Sequence, residues 1–193
     1  NKATENLDIL RVVKDLDQDT YFHQYNTQTR SSYNNNYKAG IDYFINDRNT
    51  LGFLTTGYFN NGHDLSNGVT AIGQSFTKVD SSIVADNPAK NKYRNQAYNL
   101  NYKSVMGTLG QELSIDLDYA KYYSEENTIY QNSFFDQNGL NYKSPAIFRN
   151  ATPSFIKIKA AKIDYALSLS ATTKLDAGLK SSWVSTDNDF RFE

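Results

Sequence analysis

The chain has 193 residues, enough for one domain with a sizeable core, yet it is only 39% hydrophobic, and 15 Tyr and 11 Phe carry much of that share. Aliphatic residues are too few for a helical bundle, while Tyr, Phe, Asn, Ser and Thr suit strands and polar loops. A net charge of -1 gives no electrostatic case for nucleic-acid binding, and the lack of Cys excludes thiol catalysis, disulfides and Cys-ligated metals.

In chain order, residues 1–19 carry Leu7, Ile9, Leu10, Val12, Val13 and Leu16. These fit a short amphipathic helix or a strand, and the neighbouring sequence favours strand and loop. Residues 20–45 form one long strand, polar in its first half. Its second half alternates, with Tyr37, Ala39, Ile41, Tyr43 and Ile45 opposed by Lys38, Gly40 and Asp42. Asn46, Asp47, Arg48 and Asn49 make a tight turn into a strand over 51–60. Residues 61–92 are polar, with a hairpin tip expected within 74–87.

In the strand over 93–105, Tyr98, Leu100 and Tyr102 oppose Asn99, Asn101 and Lys103. After a turn at 106–112, residues 113–123 give the clearest alternation in the chain. Leu113, Ile115, Leu117 and Tyr119 lie on one face, with Ser114, Asp116, Asp118 and Ala120 on the other. Residues 124–152 look irregular, with a turn over 136–139. A strand over 154–168 sets Ala161, Ile163, Tyr165 and Leu167 against Lys162, Asp164 and Ala166. The last strand, 175–186, sets Leu175, Ala177, Leu179 and Trp183 against Asp176, Gly178, Lys180 and Ser182.

Short turns thus fall near residues 48, 109 and 171, about 60 residues apart, with clean alternation for about 10 residues on either side. That is the width of the apolar band of an outer-membrane barrel, which short turns close on one rim and long loops on the other. The expected lipid-facing belt is Ile41, Tyr43, Tyr98, Leu100, Tyr102, Leu113, Ile115, Leu117, Tyr119, Ile163, Tyr165, Leu167, Leu175, Leu179 and Trp183. Within it, Tyr43, Tyr102 and Tyr165 are expected at one girdle, and Tyr98, Tyr119 and Trp183 about one membrane thickness away. Asp42, Asn99, Asn101, Lys103, Asp116, Asp118, Asp164, Asp176 and Lys180 are expected to face a wet lumen, since a dry core would penalise them.

The segments NYKAGIDYFINDRNTLGF, YNLNYK, QELSIDLDYA and KIDYALSLSATTKLDAGLKSSWVSTDNDF resemble the barrel portion of TonB-dependent outer-membrane receptors, and more closely the Bacteroidetes-type outer-membrane β-barrel proteins. The resemblance spans most of residues 33–190. It implies an all-β antiparallel meander forming part of the wall of a barrel of about 22 strands around a plug domain. It also implies import of a scarce nutrient such as a siderophore or glycan. Its implied partners are outer-membrane lipid, the remaining barrel and plug, TonB acting through that plug, and a surface lipoprotein. The chain carries about seven strands by this reading and no recognisable plug or TonB-box segment, so residues 1–193 read as one barrel segment cut or processed from something longer.

Chemistry is sparse. Asp116 and Asp118, about 7 Å apart along a strand, have the spacing of a glycosidase pair but nothing that desolvates one acid selectively. His23 and His63 lack further metal ligands nearby in sequence. Residues 136–139 and 186–189 hint at Ca²⁺ loops without the distal Glu, and Asn150-Ala151-Thr152 reads as a chance sequon. No enzyme activity and no cofactor are expected. Lys157 and Lys159, on one face near the outer interface, are candidates for lipopolysaccharide phosphates. Ligand contacts are expected from loop tips at 60–67, 74–87 and 131–149. Two alternatives stand beside the transporter. One is a complete small barrel of about eight strands with a structural or adhesive role, needing paired first and last strands and a terminal aromatic where Glu193 follows Phe192. The other is a soluble β-sandwich binding glycans through Tyr and Trp183, with a second sheet over Leu113, Ile115 and Leu117.

Overall fold

A computed structural model describes residues 1–107, 110–170 and 173–193. β-Branched and aromatic residues at alternate positions, interrupted by Asn, Asp and Gly clusters, give strands and turns and no helix among the described residues. The strands are β1 (Lys2–Val13), β2 (Thr20–Asn46), β3 (Asn49–Gly73), β4 (Val79–Met106), β5 (Gln111–Asp136), β6 (Asn141–Ala151), β7 (Ser154–Ser168), β8 (Lys174–Asn188) and β9 (Arg191–Phe192). All belong to one antiparallel sheet: β1 to β5 pair in sequence order, β6 and β7 both pair with β5, β9 pairs with β6 and β8 with β7.

The nine segments behave as seven strands. β5 pairs with β6 from Asn127 and with β7 up to Ser124, in one register that runs through the break and shifts only beyond Asn132, near the tip. β9 on β6 and β8 on β7 likewise share a register. The break falls at Pro153, which has no N–H to give. Thr152 N still donates to Glu126 O at 3.0 Å, and Asp189 N to Pro153 O at 3.0 Å, so the ladder continues across the gap.

At the first short turn, Asn46 Oδ1 accepts from Arg48 N at 3.0 Å and from Asn49 Nδ2 at 2.8 Å. The expected turn centres near 109 and 171 fall on residues 108–109 and 171–172, outside the described residues. Gly107 and Gly110, at φ 65° and 68°, flank the first of these in the left-handed region that glycine tolerates.

Two expectations need correction. Residues 61–92 and 124–152 are not loops. Apart from the tips at 74–78 and 137–140 they are the outer halves of β3, β4 and β5 together with β6, so 60–67 is strand and no loop tip, and only 137–140 of 131–149 is a turn. The hairpin tip expected within 74–87 is found there, between Gly73 and Val79. A β-ladder is satisfied by backbone groups alone, so strands polar on both faces persist without any alternation to betray them. The second sheet required by the sandwich alternative does not exist among the described residues. The described residues form a single sheet, and no hydrophobic residue among them is buried.

Candidate functional site: the two faces of the sheet

Cross-strand partners in an antiparallel sheet project from the same face, so the registers fix both surfaces. One row runs Tyr43, Leu51, Tyr102, Ile115, Ile163, Leu179. The next, away from the short turns, runs Ile41, Phe53, Leu100, Leu117, Ala161, Ser181, and a third runs Ala39, Thr55, Tyr98, Tyr119, Lys159, Trp183. Toward the turns lie a row with Leu113, Tyr165 and Ala177 and a rim pair, Leu167 and Leu175. Every residue named in the belt therefore lies on one face. Nothing covers it: Ile41, Leu117, Ile163 and Trp183 are exposed, and Leu179 keeps 75% of its surface. Five rows of two residues at about 3.3 Å make about 33 Å of strand, or about 25 Å of height at a tilt of about 40°.

The two expected aromatic levels are not a membrane thickness apart. Tyr98 and Tyr102 lie on one strand, four residues or about 13 Å apart. Tyr98, Tyr119 and Trp183 do form a single row at the top of the belt, with the Tyr98 and Tyr119 rings stacked at 6.3 Å. Tyr43 and Tyr102 sit within the apolar rows, and the Tyr102 hydroxyl reaches the rim by donating to Asn49 Oδ1 at 2.6 Å.

The residues expected in the lumen all occupy the opposite face. Asp42, Gly52, Asn101, Asp116, Lys162 and Lys180 form one row; Lys103, Ser114, Asp164 and Gly178 form the next. Asp118 lies beside Asn99, and Asp176 beside Ala166. Asn99 Nδ2 donates to Asp118 Oδ1 at 2.7 Å, and Asn101 Nδ2 to Asn99 Oδ1 at 3.0 Å. Lys103 pairs with Glu112 at 2.8 Å, Lys174 with Asp176 at 3.3 Å, and Lys162 with Asp164. Gly52 leaves the space in which the Asp42 and Asn101 side chains meet. Asp116 and Asp118 thus sit in an open, mutually paired polar sheet, which can hold water, ions or a polar segment of protein. Lys162, read on the same face as Asp164, belongs to this network, and so does Glu112, which escaped the sequence reading. Its signal was there: Glu112 lies four and six residues before Asp116 and Asp118 on one strand, and so on their face.

The remaining candidates stay apart. His23 Nε2 lies 2.8 Å from Asp8 Oδ1 far above the belt, and His63 is in the outer half of β3. Asp136 Oδ1 accepts from the backbone N–H groups of both Asn138 and Leu140, each at 2.9 Å, as in an ordinary turn. Asp189 is paired with Arg191 at 2.6 Å. No group of three or more metal-ligating side chains occurs among the described residues.

An open antiparallel meander with one uncovered apolar belt and one hydrogen-bonded polar face is a sector of a membrane β-barrel wall. Residues 104–193 match the model of the outer membrane protein beta-barrel family, and the location of the chain is the bacterial outer membrane. No curated protein matches the chain.

Proposed function

We propose that this chain forms part of the membrane-spanning wall and the extracellular hairpins of a TonB-dependent transporter that binds and admits a scarce nutrient, without bond chemistry. The observation that carries the reading is the separation of faces: every belt residue lies on the uncovered side and every lumen candidate on the other. Lipid covers the first, and a hydrated lumen with its plug meets the second. β2, β3, β4, β5, β7 and β8 cross the belt, fewer than the eight or so strands of the smallest barrels. The lower half of β2 and the outer edge of β8 have no partner among the described residues, and further strands pair there. β4, with 28 residues, spends about 10 of them on the belt; the rest projects outward as a ligand-contacting hairpin.

A small barrel completed by two or more added strands fits the same six, and the lumen contents separate the two readings. The experiment places a photo-crosslinking residue at Asp116 or Asp164 in the full-length protein in its native membrane. A plugged transporter yields a cross-link to polypeptide outside the barrel wall. Cross-links confined to neighbouring strands would replace this reading with the small barrel.

A further inference from the structure

Directly above the Tyr98–Tyr119–Trp183 row, the lipid-side face becomes basic. Lys159 lies in that row, between Tyr119 and Trp183. Lys121 and Lys157 are direct cross-strand partners in the next row, and Arg94 follows one row higher, opposite Tyr123. Each cation lies within about 5–8 Å of the next by sheet geometry. All four side chains are exposed, and none forms an ion pair among the described residues. The acids on this part of the face are Glu125 and Asp187. Glu125 is engaged by Tyr123, Asn127 and Lys92, whereas Asp187 sits across from Phe155, on the flank.

Two like charges set directly opposite each other destabilise a sheet unless an anion lies between them. Long cationic side chains just past an aromatic row project their charge to headgroup level. We propose that Arg94, Lys121, Lys157 and Lys159 form a ridge that docks the phosphate groups of an outer-leaflet lipid headgroup. The occupant is a lipid and not free phosphate, because the ridge is continuous with the apolar belt, so one molecule can place acyl chains on Leu117 and Ile163 and phosphates on the lysines. The placement rests on the membrane reading above and adds a ligand class to it.

The test uses the full-length protein in detergent with purified lipopolysaccharide, the same lipopolysaccharide after phosphate removal, and inorganic pyrophosphate. Changing Arg94, Lys121, Lys157 and Lys159 to Gln should weaken binding of the phosphorylated lipid about tenfold or more at physiological ionic strength. Changing the three lysines to Arg should preserve binding. Changing Lys103, Lys162 and Lys180 to Gln on the opposite face should leave it unaltered. Unchanged binding in the ridge variant, equal binding of the dephosphorylated lipid, or pyrophosphate binding as tight as the lipid would each overturn the proposal. Trp183 is the only tryptophan of these 193 residues, and the share of quenching by brominated acyl chains that Trp183→Phe removes reports lipid contact independently of headgroup charge. Quenching without a ridge effect sinks the phosphate site alone; absence of quenching sinks the membrane reading itself.

Discussion

At the scale of single residues, Gly57 shows how the sheet trades backbone freedom for packing. It pairs with Tyr37, and a Cβ at Gly57 would run into the Tyr37 ring, which stacks with Phe59 at 6.2 Å. The glycine weakens its strand locally, and the ring lying over it recovers the lost contact. Gly57→Ala should therefore cost about 1–3 kcal/mol of folding free energy in detergent, as overpacking does. In a Tyr37→Ala background the same change should cost little, so a double-mutant cycle in denaturant titrations must show strong coupling. Additive losses would mean that the cost at Gly57 does not come from the Tyr37 ring.

Glu125, above the belt, gives a residue-scale prediction about pH. Hydrogen bonds from Asn127 and then from Tyr123, with Lys92 nearby, hold its carboxyl below the ordinary glutamate value against the opposing effect of burial. A carboxyl that ionises more readily when folded adds stability above its unfolded pKa, and that share is lost as pH falls through the folded value. Amide exchange along the outer β4–β5 ladder should accelerate below about pH 4.3, where glutamate begins to protonate. Glu125→Gln should flatten that acid dependence, and an identical acid profile in the variant would assign the sensitivity elsewhere. Tyr123, whose hydroxyl donates to Glu125, titrates above its usual range, chiefly because of that hydrogen bond.

Among the elements, the sequence showed clearly the parts that have two different faces. Residues 113–123 and 154–168 alternate because one side meets apolar surroundings and the other water, and their strands were legible for that reason. The outer halves of β3, β4 and β5 face water on both sides, so no period survives there for a reader to find. The basic ridge was half legible. Lys157 and Lys159 share a strand and could be paired by counting, but Lys121 and Arg94 join them only through registers set by turns a dozen or more residues away. The misplaced lower girdle has a simpler cause: Tyr98 and Tyr102 are both good strand residues, and nothing but distance along β4 separates an interface position from a belt position.

Pro153 splits both β6 from β7 and β8 from β9, since its missing N–H removes one ladder bond to Asp189 while its carbonyl still accepts from Asp189 N. Pro153→Thr restores a donor at that site. Amides from Asn188 to Phe192 should then exchange more slowly, by an amount corresponding to about 0.5–1.5 kcal/mol for one added hydrogen bond. Unchanged protection would show that the break comes from strand twist, with proline only occupying it.

For the whole sheet, stability and membrane insertion are one process, because the described residues bury no apolar side chain that could hold it without lipid. Two open edges and an uncovered apolar face predict aggregation of the 193-residue chain in plain buffer and dispersal in detergent. The sharper consequence is a dependence on depth and face. Leu117 lies in the belt's middle rows and Leu175 at the turn rim of the same face, whereas Ser114 points to the polar side between Lys103 and Asp164. Leu117→Arg should cost about 2–4 kcal/mol of folding into a bilayer, Leu175→Arg about 0–1 kcal/mol, and Ser114→Arg about 0.5 kcal/mol or less. Urea titrations of the full-length protein in lipid vesicles measure all three. A penalty at Leu117 no larger than at Ser114 would mean that hydrocarbon does not cover the belt, and the assignment of the two faces would fail with it.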